Sequence, residues 1–423
     1  MKKVLIIITS LLLVFSMSTN TSVYAAKKET ETEPIHEELQ NIKETASSAH
    51  SLLVLLKDGT LYSWGFNPDG YLGDGNHYYS GEPINITEHF NLEEDDKINH
   101  IYSSRLVNMV TTEKGYVYTW GRNAYGALGI GDSYYNLHRS PVKNEHINLL
   151  EDEEIKDISL GLYGGMLLTS FGRVLSWGIN YYGTVGNNSN NHAFAPVDIT
   201  SNFQLDVNEK ITHISAGSHT RFAATNKGRV FAWGDNYYYK LGDGTMTTRR
   251  TPYDITEYFN FEENENVHLI ESYDLTTVIV TNKGRIFMWS AYHFPNINDP
   301  FYPYSRYPVE VTDQFMLGKS EKIQKVDLGV RHLVAITNKN NVFTYGYYNY
   351  YGNMGTNTHD PHYASNITAN FNDKNINPQH ISVGFSHSVL LTSNGDLYFW
   401  GYNYSSLIVP GYSYIINLPI LIN

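Results

Sequence analysis

The stretch Gly115-Tyr116-Val117-Tyr118-Thr119-Trp120-Gly121-Arg122-Asn123-Ala124-Tyr125-Gly126-Ala127-Leu128-Gly129-Ile130-Gly131 decides the fold, because its skeleton returns along the whole chain. All six tryptophans, Trp64, Trp120, Trp177, Trp233, Trp289 and Trp400, hold the place of Trp120 in a repeat. The intervals are 56, 57, 56 and 56 residues, then 111, and Tyr345 divides that gap into 56 and 55. Seven units therefore run from about residue 42 to residue 423, and a fixed period of this length is the signature of a repeat architecture.

Working outward from the aromatic anchor, each unit has one internal order. An apolar pair opens it, as in Ile98/Ile101, Ile155/Ile158, Ile211/Ile214, Val267/Ile270 and Ile323/Val326. A short β-branched or aliphatic run follows, such as Thr276-Thr277-Val278-Ile279-Val280, with the length and content of a buried strand. Five residues before each anchor stand Gly59, Gly115, Gly172, Gly228, Gly284, Asn340 and Gly395. Gly and Asn tolerate positive φ best, so this slot predicts a tight hairpin turn. The anchor strand comes next, then a long polar loop, then a short segment such as Pro252-Tyr253-Asp254-Ile255-Thr256, whose Pro suits an edge strand.

Four short strands cannot bury both sheet faces alone, but radial repetition covers them and leaves only short edges. The fold class predicted is all-β, a seven-bladed β-propeller of four-stranded antiparallel blades, with the anchors packed between neighbouring sheets. A linear solenoid usually has a shorter period, and a string of domains needs linkers that are not seen. Ring closure is expected through Ile42–Ser48 joining a sheet with the C-terminal Leu418–Asn423.

The segments outside the repeat read differently. Residues 1–25 have the pattern of a signal peptide: Lys2 and Lys3, the apolar run Val4 to Phe15, then Val23-Tyr24-Ala25 before a cut after Ala25 or Ala26. Residues 26–40 are charged, with Thr-Glu alternation, and are expected to form an exposed linker. The expected location is secreted or loosely held at a bacterial cell surface, without stable membrane insertion once the signal is removed. The net charge of −13 would repel a phosphate backbone, so nucleic acid is a poor partner. The absence of cysteine excludes disulfides, thiolate catalysis and a lipidated N-terminal Cys.

The units resemble the regulator-of-chromosome-condensation repeat, whose pattern is similar to Gly115–Gly131. A second copy is Gly228-Arg229-Val230-Phe231-Ala232-Trp233-Gly234-Asp235-Asn236, continued by Lys240-Leu241-Gly242-Asp243-Gly244. The family's Gly-x-x-His corner has counterparts in Gly329-Val330-Arg331-His332 and Gly384-Phe385-Ser386-His387. The resemblance implies a seven-bladed propeller. Unit five departs from it, with Ser290 for Gly and Ala291-Tyr292-His293-Phe294-Pro295 in place of the usual loop start; unit seven departs with Tyr404-Ser405-Ser406-Leu407. By resemblance, the family also offers a guanine-nucleotide exchange role, which the export signal disfavours, and an inhibitor of β-lactamases, of which no inhibitory residue carries over.

Strand alternation sorts the connections onto two faces. The hairpin turns share a face with acidic connectors between units: Glu93-Glu94-Asp95-Asp96, Glu151-Asp152-Glu153-Glu154 and Glu262-Glu263. These connectors repeat Ile-Thr-x-x-Phe, whose Phe90, Phe203, Phe259 and Phe371 read as packing residues. The other face collects the loops after each anchor, rich in Tyr, Asn, Gly and Ser, a composition like that of an antibody paratope. The binding residues expected there are Tyr78, Tyr79, Tyr134, Tyr135, Arg249, Arg250, Tyr302 and Tyr304, in the loops furthest from the strand ends. Tyr181 and Tyr237, nearer the anchors, are expected to be structural.

No catalytic residue is assigned. The sequence has no Gly-x-Ser-x-Gly elbow, phosphate loop or His-Glu-x-x-His helix. Asp74-Gly75-Asn76 and Asp243-Gly244-Thr245 read as turns rather than metal loops, and His332 and His387 as structural hydrogen-bonding residues. The expectation is a monomeric, non-enzymatic scaffold for a protein partner, with no metal and no cofactor. The alternatives are an inhibitor of an extracellular enzyme and a propeller enzyme acting on glycans. A carboxylate or His cluster in the channel would favour the enzyme.

Overall fold

Each 56-residue unit folds into one blade because its three turn signals fall where an antiparallel sheet must reverse. In the computed structural model, residues 36, 38–49, 51–132, 135–290, 305–346, 349–357, 363–372 and 376–423 are described. They form seven four-stranded antiparallel sheets, each from consecutive strands. The blades cover residues 42–85, 98–143, 155–198, 211–254, 267–310, 323–366 and 378–421, and are numbered 1 to 7 in that order. Their starts are 56, 57, 56, 56, 56 and 55 residues apart, the same series as the anchors. The only helical elements among the described residues are single 3-10 turns of three or four residues.

In blade 4 the strands are Ile211–Ala216, Thr220–Thr225, Val230–Gly234 and Arg249–Asp254. The first strands of successive blades pack side by side around the ring, and that of blade 7 packs on that of blade 1. The turn residue Gly228 has φ +82° and Asn340 φ +62°, the left-handed conformation the slot predicted. Pro83, Pro141, Pro196, Pro252 and Pro419 lie in the outermost strands and Pro308 just before one, where a missing N–H blunts an exposed edge.

Seven apolar clusters fill the core, one per blade interface, with a small eighth around Val107, Ala127 and Leu128. Every anchor Trp is at most 2% exposed. Each indole N–H donates to a loop carbonyl of the preceding blade: Trp120 to Tyr71, Trp177 to Ala127, Trp233 to Thr184, Trp289 to Lys240, Trp400 to Asn353 and Trp64 to Ile408, at 2.8–3.1 Å. The connector motif is structural, as expected of its Phe: Phe90, Phe203, Phe259 and Phe371 are buried. Its Thr hydroxyl accepts the first N–H of the anchor strand, as Thr256 does from Val230 at 2.9 Å.

Two expectations are corrected. The N-terminal strand Ile42–Ser47 does not join the C-terminal sheet; it is the inner strand of blade 1, while Ile415–Leu421 is the outer strand of blade 7. Each blade takes its four strands from one repeat unit, so no sheet is shared between the first unit and the last. Closure rests on side chains instead: Ser382 donates to Ser47 (2.8 Å), His380 bonds the Thr45 carbonyl (2.8 Å), and Asn423 donates to the carbonyl of Leu39 (3.3 Å). The expected linker 26–40 is not exposed at its end, where His36 and Leu39 are 1% and 0% exposed. The His36 ring lies edge-on to Trp64 at 5.3 Å, so an aromatic contact overrides the polar composition. The expected signal peptide lies outside the described residues.

Candidate binding face

The loop after six of the seven anchors is organised by one asparagine. Asn67, Asn123, Asn180, Asn236, Asn349 and Asn403 are all buried. Each side-chain oxygen accepts an N–H five residues on, from Leu72, Leu128, Val185, Leu241, Met354 and Ile408, at 2.9–3.1 Å. In five of the six, the carbonyl just before that N–H receives the next blade's Trp; in blade 7 it is the carbonyl of Ile408 itself. Loop Asn and following Trp thus act as one latch. Unit five has Tyr292 where the Asn would stand, and the next anchor is Tyr345, whose hydroxyl donates to Gln314 at 2.6 Å instead. The two departures from the repeat belong together.

In blades 3 and 4 the Asn turns inward and the residue after it turns out, whereas Ala124 of blade 2 stays buried. Tyr181 and Tyr237 are each 57% exposed, which corrects the expectation that nearness to the anchor makes them structural. Tyr181, Tyr182, Tyr125, Tyr135, Tyr163, His192 and His219 form one continuous aromatic patch on blades 2 to 4. Tyr125 is its hub, with ring centroids 5.2 Å from Tyr135, 5.6 Å from Tyr163, 5.9 Å from Tyr181 and 5.3 Å from His192. Tyr182 and Tyr163 both reach His219. A hydrogen bond with Tyr125 raises the Tyr135 phenol to about 12, and burial lowers His219 to about 4, so both rings are neutral at pH 7. Tyr125 sits at φ +59°, a conformation a bulky side chain adopts only under constraint.

Of the residues singled out from sequence, Tyr78 and Tyr79 are 68% and 67% exposed and Tyr135 49%. Arg250 is exposed and donates to Asn190 at 2.6 Å. Arg249, one residue earlier, faces the other way: it is paired with Asp243 at 2.7 Å and lies over Tyr253, so it is a blade contact rather than a free binding group. Tyr134, Tyr302 and Tyr304 lie outside the described residues. The structure therefore brings Tyr135 and Arg250 next to the aromatic patch, while Tyr78 and Tyr79 belong to blade 1.

The turn reading of the Asp-Gly segments follows from their partners. Asp74 accepts from Asn76 and Asn67, and Asp243 from Asn236, Thr245 and Arg249. His332 is fully buried and bonds Ser388 at 2.8 Å; burial lowers it to about 3. The Glu153–Arg173–Asp198, Glu209–Arg229–Asp254 and Glu265–Arg285–Glu310 triads repeat on the connector face. One acid of each triad has a fully buried side chain, so these connectors are partly consumed by structure.

The channel between the inner strands holds a cavity of about 390 Å³ lined by Glu44, Tyr102, Glu271, Tyr273, Asp327 and His380, among others. Burial raises Asp157 to about 6 and Asp327 to about 7, and burial with the charges of Asp327 and Asp157 raises Glu271 well above the usual range. Asp327 accepts the N–H groups of Leu328 and Val383, both at 2.7 Å, which ties blade 6 to blade 7. At one end of the channel, Arg105 of blade 2 lies over Phe385 of blade 7, 5.0 Å from its centroid.

A family model described as the Regulator of chromosome condensation (RCC1) repeat matches residues 114–168, 172–224 and 227–267, and a second RCC1 model matches 211–240 and 379–406. The chain is an RCC1-repeat propeller. Its relatives include the Ultraviolet-B receptor UVR8 of Arabidopsis thaliana, 25% identical over 73% of this chain and 65% of that protein. The E3 ubiquitin-protein ligase HERC2 of Homo sapiens is 29% identical over 57% of this chain but only 5% of its own length. This RCC1-repeat propeller thus spans under two thirds of either protein. In fold it is similar to human WBSCR16 (TM-score 0.69, 20% identity, 84% of this chain and 87% of that one). It is also similar to a chain of the Kap60–yeast RCC1 (Prp20) complex (TM-score 0.71, 17% identity, 95% and 90%). RCC1-repeat propellers generally serve as protein-binding scaffolds.

Proposed function

We propose that this RCC1-repeat propeller is an exported, non-enzymatic scaffold that binds a protein partner through the face carrying the post-anchor loops. The observation that carries the reading is the aromatic patch around Tyr125. Its rings are rigid, amphipathic and presented by loops latched from below, the features that concentrate binding energy in a few residues. The relatives in solved complexes support a protein partner as a class: yeast RCC1 is seen with Kap60. Export is supported by Lys2, Lys3, the apolar run Val4 to Phe15 and the small residues at 25 and 26.

The experiment is capture of the partner on immobilised protein, identification by mass spectrometry, and titration against Tyr181→Ala/Tyr182→Ala. About tenfold or greater loss of affinity with an unchanged melting curve is expected. Full affinity in that variant would refute the reading. A glycan-acting enzyme would draw on Asp157, Glu271 and Asp327. Asp327 is held between blades by two backbone bonds, which favours a structural role for that set.

A further inference from the structure

We propose that the face with the aromatic patch, taken as the binding face above, docks an acidic protein surface whose carboxylates are received by five arginines. The chain has eleven arginines and a net charge of −13. Six of the eleven are accounted for within the fold. Arg173, Arg229 and Arg285 are paired in the connector triads. Arg122 pairs with Asp69 and Arg249 with Asp243. Arg221 is fully buried and donates to the carbonyls of Gly217 and Thr220. The remaining five, Arg105, Arg139, Arg250, Arg306 and Arg331, are exposed and form no ion pair among the described residues.

All five lie on the loop face. Arg105 and Arg331 stand in the turns between first and second strands of blades 2 and 6, beside the channel. Arg139, Arg250 and Arg306 occupy one repeat position in blades 2, 4 and 5, and each carbonyl there accepts a loop N–H of the preceding blade, from Gly75, Asn188 and Gly244. The equivalent residue of blade 3 is Phe194, whose carbonyl accepts from Gly131 and whose ring lies near His192 of the patch. The arginines therefore form an outer arc and an inner pair with the tyrosines of blades 2 and 3 between them.

Most acids of this face, among the described residues, are already engaged, Asp132 by Asn136 at 2.8 Å, while Glu82 stays 75% exposed on blade 1. Asp69, Asp235 and Asp243 are paired with Arg122, Lys240 and Arg249. Asp74 is held by Asn67 and Asn76, and Asp274 accepts from Ser218. What the described residues of blades 2 to 5 leave to an incoming surface is mainly cationic and aromatic, on a molecule that is otherwise acidic. Guanidinium groups receive carboxylates in a bidentate fork, and Arg and Tyr together are the side chains that dominate interfaces. Such complementarity speeds encounter and selects the partner, and it is screened by salt.

The test uses the full chain and fluorescein-labelled probes read by anisotropy: a decaglutamate peptide, a neutral Gly-Ser peptide of the same length, and a single-stranded DNA of equal charge. The proposal expects binding of decaglutamate over the neutral peptide, weakening about tenfold between about 50 and about 300 mM NaCl. Arg139→Gln/Arg250→Gln/Arg306→Gln should weaken it at least about tenfold with an unchanged melting curve. Lys114→Gln/Lys210→Gln/Lys319→Gln, on the opposite face, should bind as the native chain. Equal binding by the arginine variant overturns the proposal, as does tighter binding of the DNA, or self-association of the native chain that the arginine variant abolishes. If decaglutamate fails to bind while Tyr181→Ala/Tyr182→Ala still releases the captured partner, the acidic class falls and the face stands.

Discussion

Asn180→Ala and Trp233→Phe, made singly and together, test whether a loop asparagine and the next blade's tryptophan form one unit. Asn180 is fully buried; its oxygen accepts from Val185, and its amide donates to Asn187, Ser189 and Asn191 at 2.9–3.1 Å. Removing it leaves the Val185 N–H without its acceptor in a buried site, for a cost of about 2–3 kcal/mol. Trp233→Phe keeps most of the packing but orphans the Thr184 carbonyl and leaves a small void, again about 2–3 kcal/mol. If Asn180 acts by holding that carbonyl against Trp233, the second change removes little once the first is made. The double variant should then cost about 1–2 kcal/mol less than the sum. Urea unfolding of the four proteins, followed by tryptophan-independent far-ultraviolet circular dichroism, measures the cycle. Costs that add to within about 0.5 kcal/mol would refute the coupling.

Three further predictions follow from the same contacts. Asp327, raised to about 7 by burial, binds its proton more tightly in the folded chain than in the unfolded one, so its contribution is full below about pH 4 and is lost as pH rises through about 7. The lowered histidines act oppositely in that window, so the test is a difference: relative to the native chain, Asp327→Asn should gain on the order of 2–3 kcal/mol between pH 4 and pH 8, trimmed by the surface open to the channel, and a pH-independent difference would refute it. Deleting Asn423 removes its bonds to Leu397, Gly395 and Leu39 and should lower stability by about 1–2 kcal/mol in urea unfolding; an unchanged midpoint would show that closure rests on the inner strands alone. Tyr79→Ala, at a ring 67% exposed, should change stability by no more than about 0.5 kcal/mol, checked by the same unfolding curves; a larger loss would make it a packing residue.

The fold was legible because the strongest signals are local and periodic. The anchor spacing, the positive-φ slot at Gly228 and its counterparts, and the Pro in or beside six of the seven outer strands need no tertiary knowledge. Ring closure was not legible, because the register of the repeat does not reveal whether the first strand belongs to the first blade or the last. At the binding face the sequence showed composition but not direction. Arg249 and Arg250 are adjacent in an extended strand and point opposite ways, one to Asp243 and one outward. Tyr181 and Tyr237 read as structural because they follow the anchor closely, yet the inward turn of Asn180 and Asn236 sends them out. The signal for this was present: an Asn three residues after five of the anchors and four after Tyr345, missing only in unit five, where the next Trp is also missing. The channel set was harder to read: Glu271 and Asp327 share one repeat position, 18 residues before their anchors, but Asp157 stands 20 before its own, and the three meet only when the ring forms.

The most direct test of the account is hydroxyl-radical footprinting of the full chain with and without its captured partner, read residue by residue by mass spectrometry. Tyr135, Tyr181, Tyr182 and Tyr237 are exposed on the loop face, while Phe171 and Val207 are exposed among the hairpin turns and connectors. The account predicts that the partner protects the tyrosines and leaves Phe171 and Val207 as reactive as before. Protection of Phe171 and Val207, with the tyrosines still reactive, would contradict it.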